Sequence, residues 1–228
     1  MAMAVSIRPC PGPSEMEYTV QIGDRQIFTT VTESDIDAQM WVREVRKLHR
    51  KHRGRLVVGL RLYRHLNYAK RGLDDNPFSI IVLCVGASCL IYKFGFCMAY
   101  DRFHIHKVLI DFLRDPKIAF VGVDIVRDSK KLKKDCPVFC VDNVMELQPI
   151  VEKKLLKVDK KMLKGDLKGC GLEELASALL GLRFLDVPKP QLMVGSSQWD
   201  YLDMDENQLK RACFEAFLAF EIGSKVLD

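Results

Sequence analysis

The chain reads as an α/β domain in which a mixed central sheet is flanked by helices. Three patterns point to this. A stretch that alternates apolar and polar residues around a Gly-Asp turn opens the fold as a β-hairpin. Long apolar runs such as LVVGLRLY and FSIIVLCVGASCLIYKF have the character of strands buried on both faces. Helical periodicities then separate and follow the strands, giving hairpin, α, three strands, α, β, α, β and a run of helices.

Pro9, Pro11 and Pro13 oppose regular structure at the start, so residues 1–15 are expected to form a flexible arm and 16–228 a single domain. In the hairpin EYTVQIGDRQIFTTVT the register places Tyr18, Val20 and Ile22 on one face. Thr32 or Ser34 can cap a helix over 35–50, with Ile36, Met40, Trp41, Val45 and Leu48 as its apolar stripe and the basic residues opposite. Strands follow at 56–63 and, around Gly-Ala-Ser, at 78–94. A helix at 105–114 leads to a buried strand, 118–125, a helix from Asp128 to Lys134, and a short strand, 138–144. Helices at 146–163, 171–182 and 205–220 complete the chain, with a proline-broken loop, 187–192, before the last.

With 228 residues, 48% of them apolar, the chain can bury one sizeable core but not two comfortable domains. No apolar run reaches the ~20 residues that span a bilayer, and the first residues lack the apolar centre of a secretory signal. An intracellular protein is expected, in the nucleus, the cytoplasm or both, with no membrane partner. Cys84, Cys89 and Cys97 lie in apolar strand-like runs, which favours reduced, buried thiols, and Cys136-x3-Cys140 has no second pair to complete a zinc site. The net charge of +5 is concentrated in residues 43–55 and in the lysines of 130–134 and 153–164. Such runs can bind phosphates or direct nuclear entry, but are equally the solvated faces of helices.

Taken in order, FTTVT at 28–32, Trp41, VVGL at 57–60, the IIVLCVGASCLIY block, FVGVDIVRDSKKL at 120–132, VDNVMEL at 141–147, LEELASALLGL at 172–182 and SSQWD at 196–200 resemble the plant branch of Werner-type 3′→5′ exonuclease domains. The resemblance runs over nearly the whole chain and implies a ribonuclease H-like (DnaQ-like, DEDDy) fold. Members of that family hydrolyse the 3′-terminal phosphodiester with two divalent metals. An Asp-x-Glu pair on a first strand, an Asp in a second motif and a Tyr-x-x-x-Asp on a late helix hold the ions and the attacking water.

This chain departs from that pattern. After VVGL the Asp-x-Glu positions hold Arg61 and Tyr63, and the late Tyr-x-x-x-Asp aligns with Arg211 and Glu215. Asp128 alone keeps its residue, and Glu215 is a longer acidic substitute. A permanent cation at Arg61 repels a metal at its old position, by ~4 kcal/mol per unit charge product at about 4 Å and a dielectric near 20. No metal or other cofactor is therefore expected; Mg²⁺ or Mn²⁺ would be required if the chain is active, with Asp128, Glu215 and a displaced Asp124 as the available ligands. Arg61 and Arg211 are expected to replace the metals as counter-charges to Asp128 and Glu215, in an internal salt-bridge network.

Other candidates are weaker. His104-x-His106 lacks a third ligand, Asp74 and Asp75 read as turn residues, and Trp199 reads as packing. Lys130, Lys131, Lys133 and Lys134 start a helix beside Asp128 and are candidates for contact with nucleic-acid phosphates. The expected function is a pseudo-exonuclease that holds single-stranded nucleic acid or engages protein partners; the alternative is a slow, metal-dependent exonuclease on DNA or RNA with rearranged ligands. The resemblance also implies a homo-oligomer, a hexameric ring being the form suggested, and the apolar hairpin at 16–31 gives that a weak physical basis through its edges.

Overall fold

The computed structural model describes residues 2–9, 17–50, 54–64, 78–93, 107–158, 167, 169–184 and 204–227. Cys97, His104, His106, Asp74, Asp75, Trp199 and the loop 187–192 lie outside them. The elements run β1 (Ala2–Met3), β2 (Val5–Pro9), β3 (Glu17–Ile22), β4 (Arg25–Thr32), α1 (Asp35–His49), β5 (Leu56–Arg64), β6 (Phe78–Val85), β7 (Ser88–Lys93) and α2 (Lys107–Leu113). They continue with β8 (Ile118–Gly122), α3 (Ile125–Asp135), β9 (Val144–Glu146), α4 (Leu147–Val158), α5 (Leu172–Leu180), β10 (Arg183–Phe184) and α6 (Glu206–Leu227).

Eight strands form one mixed sheet in the order β2-β3-β4-β7-β6-β5-β8-β9, and β1 pairs separately with β10. The central strands β7, β6, β5 and β8 are largely apolar on both faces because helices cover both: one core packs α1, α2 and α3, the other α4, α5 and α6. Along β5 the side chains alternate between them. Val57, Gly59, Arg61 and Tyr63 share the α6 side, while Val58, Leu60 and Leu62 enter the α1–α3 core.

The proline-rich start is not wholly an arm. Residues 5–9 pair antiparallel with β3, from Val5 opposite Ile22 to Pro9 opposite Tyr18, and Pro9 is tolerated because β2 is the edge of the sheet among the described residues. The hairpin β3–β4 is therefore interior to the sheet, which removes the exposed edges on which an oligomeric reading of 16–31 rested. Residues 136–143 are not strand; Phe139 turns back to the Cys136 carbonyl at 3.0 Å and Asn143 has φ 51°, so only Val144–Glu146 joins β8. Ser34 caps α1 by accepting the Asp37 N–H, but the buried stripe is Ala38, Trp41, Val42 and Val45; Ile36 and Met40 are 65% and 61% exposed.

The last helix runs to Leu227, beyond the expected end at 220, and is buried along most of its length against β5, β6 and β8. Two glycines set its depth. A Cβ on Gly59 would stand 2.0 Å from the Ala216 carbonyl oxygen, and one on Gly223 would stand 2.5 Å from Val121 Cγ2. We expect Gly59→Ala to push α6 off the sheet and lower unfolding stability in urea by about 3 kcal/mol or more, where Gly54→Ala, with nothing within 4 Å, stays within about 1 kcal/mol.

Candidate functional site

The close approach at Gly59 places the next inward residues of β5, Arg61 and Tyr63, beside the first half of α6. Glu215 projects from α6 between them. Its Oε2 accepts from Arg61 Nε at 2.7 Å and from the Tyr63 hydroxyl at 2.9 Å, and its Oε1 accepts from Arg211 Nε, one helical turn earlier, at 2.5 Å. Both carboxylate oxygens are thus occupied, and the side chain is only 10% exposed. Arg61 also donates to the Val123 carbonyl at 3.0 Å, and Arg211 to Glu173 on α5 at 2.6 Å. The cluster ties β5, α6, α5 and the end of β8 together.

The electrostatics follow from this geometry. Burial alone would raise the Glu215 pKa, but Arg61 and Arg211, with the Tyr63 hydroxyl, outweigh it and hold the carboxyl below its ordinary value. Burial and the adjacent Glu215 push the Tyr63 phenol well up, so it stays a hydrogen donor. Burial works against the charge on Arg61, but Glu215 and Tyr63 leave that guanidinium held more firmly than in water.

Asp128 is buried on α3 but does not join this cluster. Its partner is Arg64, 3.0 Å away, with Arg127 at 3.5 Å. The expectation that Arg61 or Arg211 would balance Asp128 is corrected accordingly: alternation along β5 sends Arg64 to the opposite side from Arg61, and a register shift at Tyr63/Arg64 accompanies the turn toward α3. Arg64 and Glu173 were not singled out by sequence reasoning, although the period of two along RLYR was the available signal for Arg64.

The strand expected over 118–125 ends at Gly122, and Asp124, the residue before α3, is in the left-handed conformation, φ 60°, with its N–H donated to Glu146 at 2.8 Å and its exposed carboxylate 3.7 Å from Arg127. The lysines of α3 do not converge on the site. Ile125, Asp128 and Leu132 form the buried face, Lys131 is paired with Asp135 at 2.7 Å, and Lys130, Lys133 and Lys134 are exposed on the opposite face.

A cleft of about 370 Å³ opens onto this cluster, lined by Arg61 and Arg211 together with Asp124, Glu173, Glu174 and Glu215. Two guanidiniums face four carboxylates, so the lining is net negative. Glu174 is committed to capping α5 through the Gly171 N–H at 2.5 Å.

No family model matches the chain. A 3′-5′ exonuclease of Drosophila willistoni is 29% identical over 147 residues, which is 61% of this chain and 36% of that protein. The chain thus spans less than two-fifths of the length of the curated relatives it matches. Among solved structures, the catalytic core of RRP6 from Trypanosoma brucei superposes with a TM-score of 0.58 at 10% identity, over 87% of this chain and 46% of that one. Brucella melitensis NrnC bound to pGG superposes at 0.51 and 13% identity, over 78% and 74%. The chain has the ribonuclease H-like fold of 3′-5′ exonuclease domains.

Enzymes of that fold use two divalent ions, which need several hard oxygen ligands shared between them. The donor set does not fit such a pair. Both Glu215 oxygens are taken by guanidiniums and a phenol, Asp128 is paired with Arg64, and Arg61 and Tyr63 supply no carboxylate. Among the described residues, no three His, Cys, Asp or Glu side chains are grouped to share an ion.

Removing the charge of Glu215 leaves the half-buried guanidiniums of Arg61 and Arg211 without their shared counter-charge. Glu215→Gln is expected to destabilise the chain by about 3–5 kcal/mol. Because the folded carboxyl titrates below its ordinary value, its stabilisation is complete above pH ~4.5 and is lost as pH falls through the lower folded value. Urea midpoints measured from pH 6 downward should therefore fall more steeply for the natural chain than for Glu215→Gln.

Proposed function

We propose that this domain is a catalytically silent exonuclease fold, a Werner-type pseudo-exonuclease by its order of motifs, that works by binding and assembly rather than by cutting phosphodiester bonds. The observation that carries the reading is the Glu215 clamp: the carboxylate placed to hold a metal has both oxygens engaged by Arg61, Arg211 and Tyr63. An entering dication would have to displace two cations that are already paired and largely dry, at a cost of several kcal/mol. The name carried by the Drosophila relatives, 3′-5′ exonuclease, supports the ancestry of the fold.

The charge of the cleft favours a protein partner over a nucleic-acid strand. A phosphodiester backbone entering it meets four carboxylates and two guanidiniums already committed to them, and so gains none of the counterion release that drives such binding.

Digestion of a 3′-labelled single strand and a recessed duplex with Mg²⁺ or Mn²⁺ tests the reading. The natural chain should leave both intact. The combined Arg61→Asp, Tyr63→Glu, Arg211→Tyr, Glu215→Asp variant should shorten the strand faster by about two orders of magnitude, ~2.7 kcal/mol of barrier. Cleavage by the natural chain that Asp128→Ala abolishes would mean that displaced ligands hold the metals.

A further inference from the structure

Helix α1 carries more apolar surface than it buries. Ile36, Met40 and Leu48 are 65%, 61% and 49% exposed, and lie on one ridge with Glu44 because residues four apart stack along a helix. The ridge runs into an apolar groove of about 1070 Å³ between the end of α1, the β6–β7 turn and the C-terminal half of α6. Phe28, 58% exposed, lines it together with Leu48, Val57, Val85 and Phe220. Of the five large apolar side chains that stand out in solvent among the described residues, four belong to this one strip; the fifth is Leu156.

Apart from Glu44 on the ridge itself, the charges along its C-terminal flank are cationic. Arg43 and Lys47 sit three residues on from Met40 and Glu44, along one flank of the ridge, and Arg50 follows behind them; all three are exposed. The acids of α1 that could neutralise them are engaged elsewhere. Asp35 accepts from the Tyr92 hydroxyl at 2.9 Å and Asp37 from Thr32 at 2.8 Å. Glu44 reaches Lys47 only at 3.7 Å across an exposed pair, which is worth little. Arg55 adds a further cation to the groove wall.

We propose that this strip is a docking site for an amphipathic helix whose apolar face is flanked by Asp and Glu. Apolar residues four apart on the partner match the ridge and groove, and its acids meet Arg43, Lys47 and Arg50. Four partly exposed side chains, Phe28, Ile36, Met40 and Leu48, amount to roughly a few hundred Å² of apolar surface, short of the ~800 Å² per partner of a stable dimer, so a single helix fits better than a second copy of the chain. The surface lies at the opposite ends of β5 and α6 from the Glu215 clamp, and the inference stands whatever the clamp does with metals.

The test is a library of displayed helical peptides with fixed apolar positions four and three apart and flanking positions varied among Glu, Gln and Lys, selected on the whole chain without divalent metal. Glu should be enriched at the flanks. An enriched peptide should lose about tenfold or more in affinity to Met40→Glu, and should lose affinity to Arg43→Glu/Arg50→Glu while its Lys-flanked counterpart gains. If Met40→Glu lowers the melting temperature, Ile36→Gln and Phe28→Gln take its place. No enrichment, enrichment of Lys, or binding untouched by these variants overturns the proposal. So does a dimer that Met40→Glu dissociates in light scattering, which would make a second copy the occupant. Oligonucleotide binding that depends on Arg43 and Arg50 but not on Met40 would identify nucleic acid instead.

Discussion

A carboxylate buried between a sheet and a helix must have its charge answered, and the arrangement around Glu215 is organised by that need. An unpaired ionised group in such a place costs several kcal/mol, so it persists only with close, well-directed partners. Arg61 and Arg211 supply them, and the Tyr63 hydroxyl adds a third donor. Because the three donors come from β5 and α6, the same interaction that neutralises the acid also fixes the register of α6 on the sheet. Arg211 passes the constraint on to α5 through Glu173, and Arg61 to the end of β8 through Val123.

The clamp depends in turn on how closely α6 can lie on β5. Gly59 and Gly223 leave no room for a methyl group, and this contact brings the helix near enough for a 2.7 Å bond from strand to helix side chain. Packing density and electrostatics therefore reinforce each other: the helix sits deep because the glycines allow it, and at that depth its acid must be paired. In a metal-dependent enzyme of this fold, dications serve as the counter-charge. Here Arg61 and Arg211, on the protein's own chain, answer the charge of Glu215.

The pairs at Asp128 show how local the solution is. Tyr63 and Arg64 are neighbours in the chain, yet they reach acids on different helices, because successive side chains of a strand point to opposite faces. The chain thus holds two separate ion-pair groups, only one of which faces the cleft. The first engages the acid on α6, and the second the acid on α3.

Much of this was legible in the chain itself. The apolar runs from 56 to 93 and at 118–122 marked a sheet covered on both sides, and the Arg61, Tyr63, Arg211, Glu215 set came from the resemblance in motif order to Werner-type exonuclease domains. Alternation also indicated that Tyr18, Val20 and Ile22 share a face. What stayed hidden is non-local. That Asp128 pairs with Arg64, that residues 5–9 become an edge strand, and that Ile36 and Met40 remain in solvent each depend on which surface another part of the chain presents. A helix with apolar residues around much of its circumference has several faces it could bury, and only the packing of Trp41 and Val45 onto the sheet decided which one it did. The sequence by itself determined the fold class and which residues stand at 61, 63, 128, 211 and 215, because residue identity and periodicity are carried within each element. The tertiary structure alone decided the charge partners and the exposed ridge, because both arise where elements distant in sequence meet.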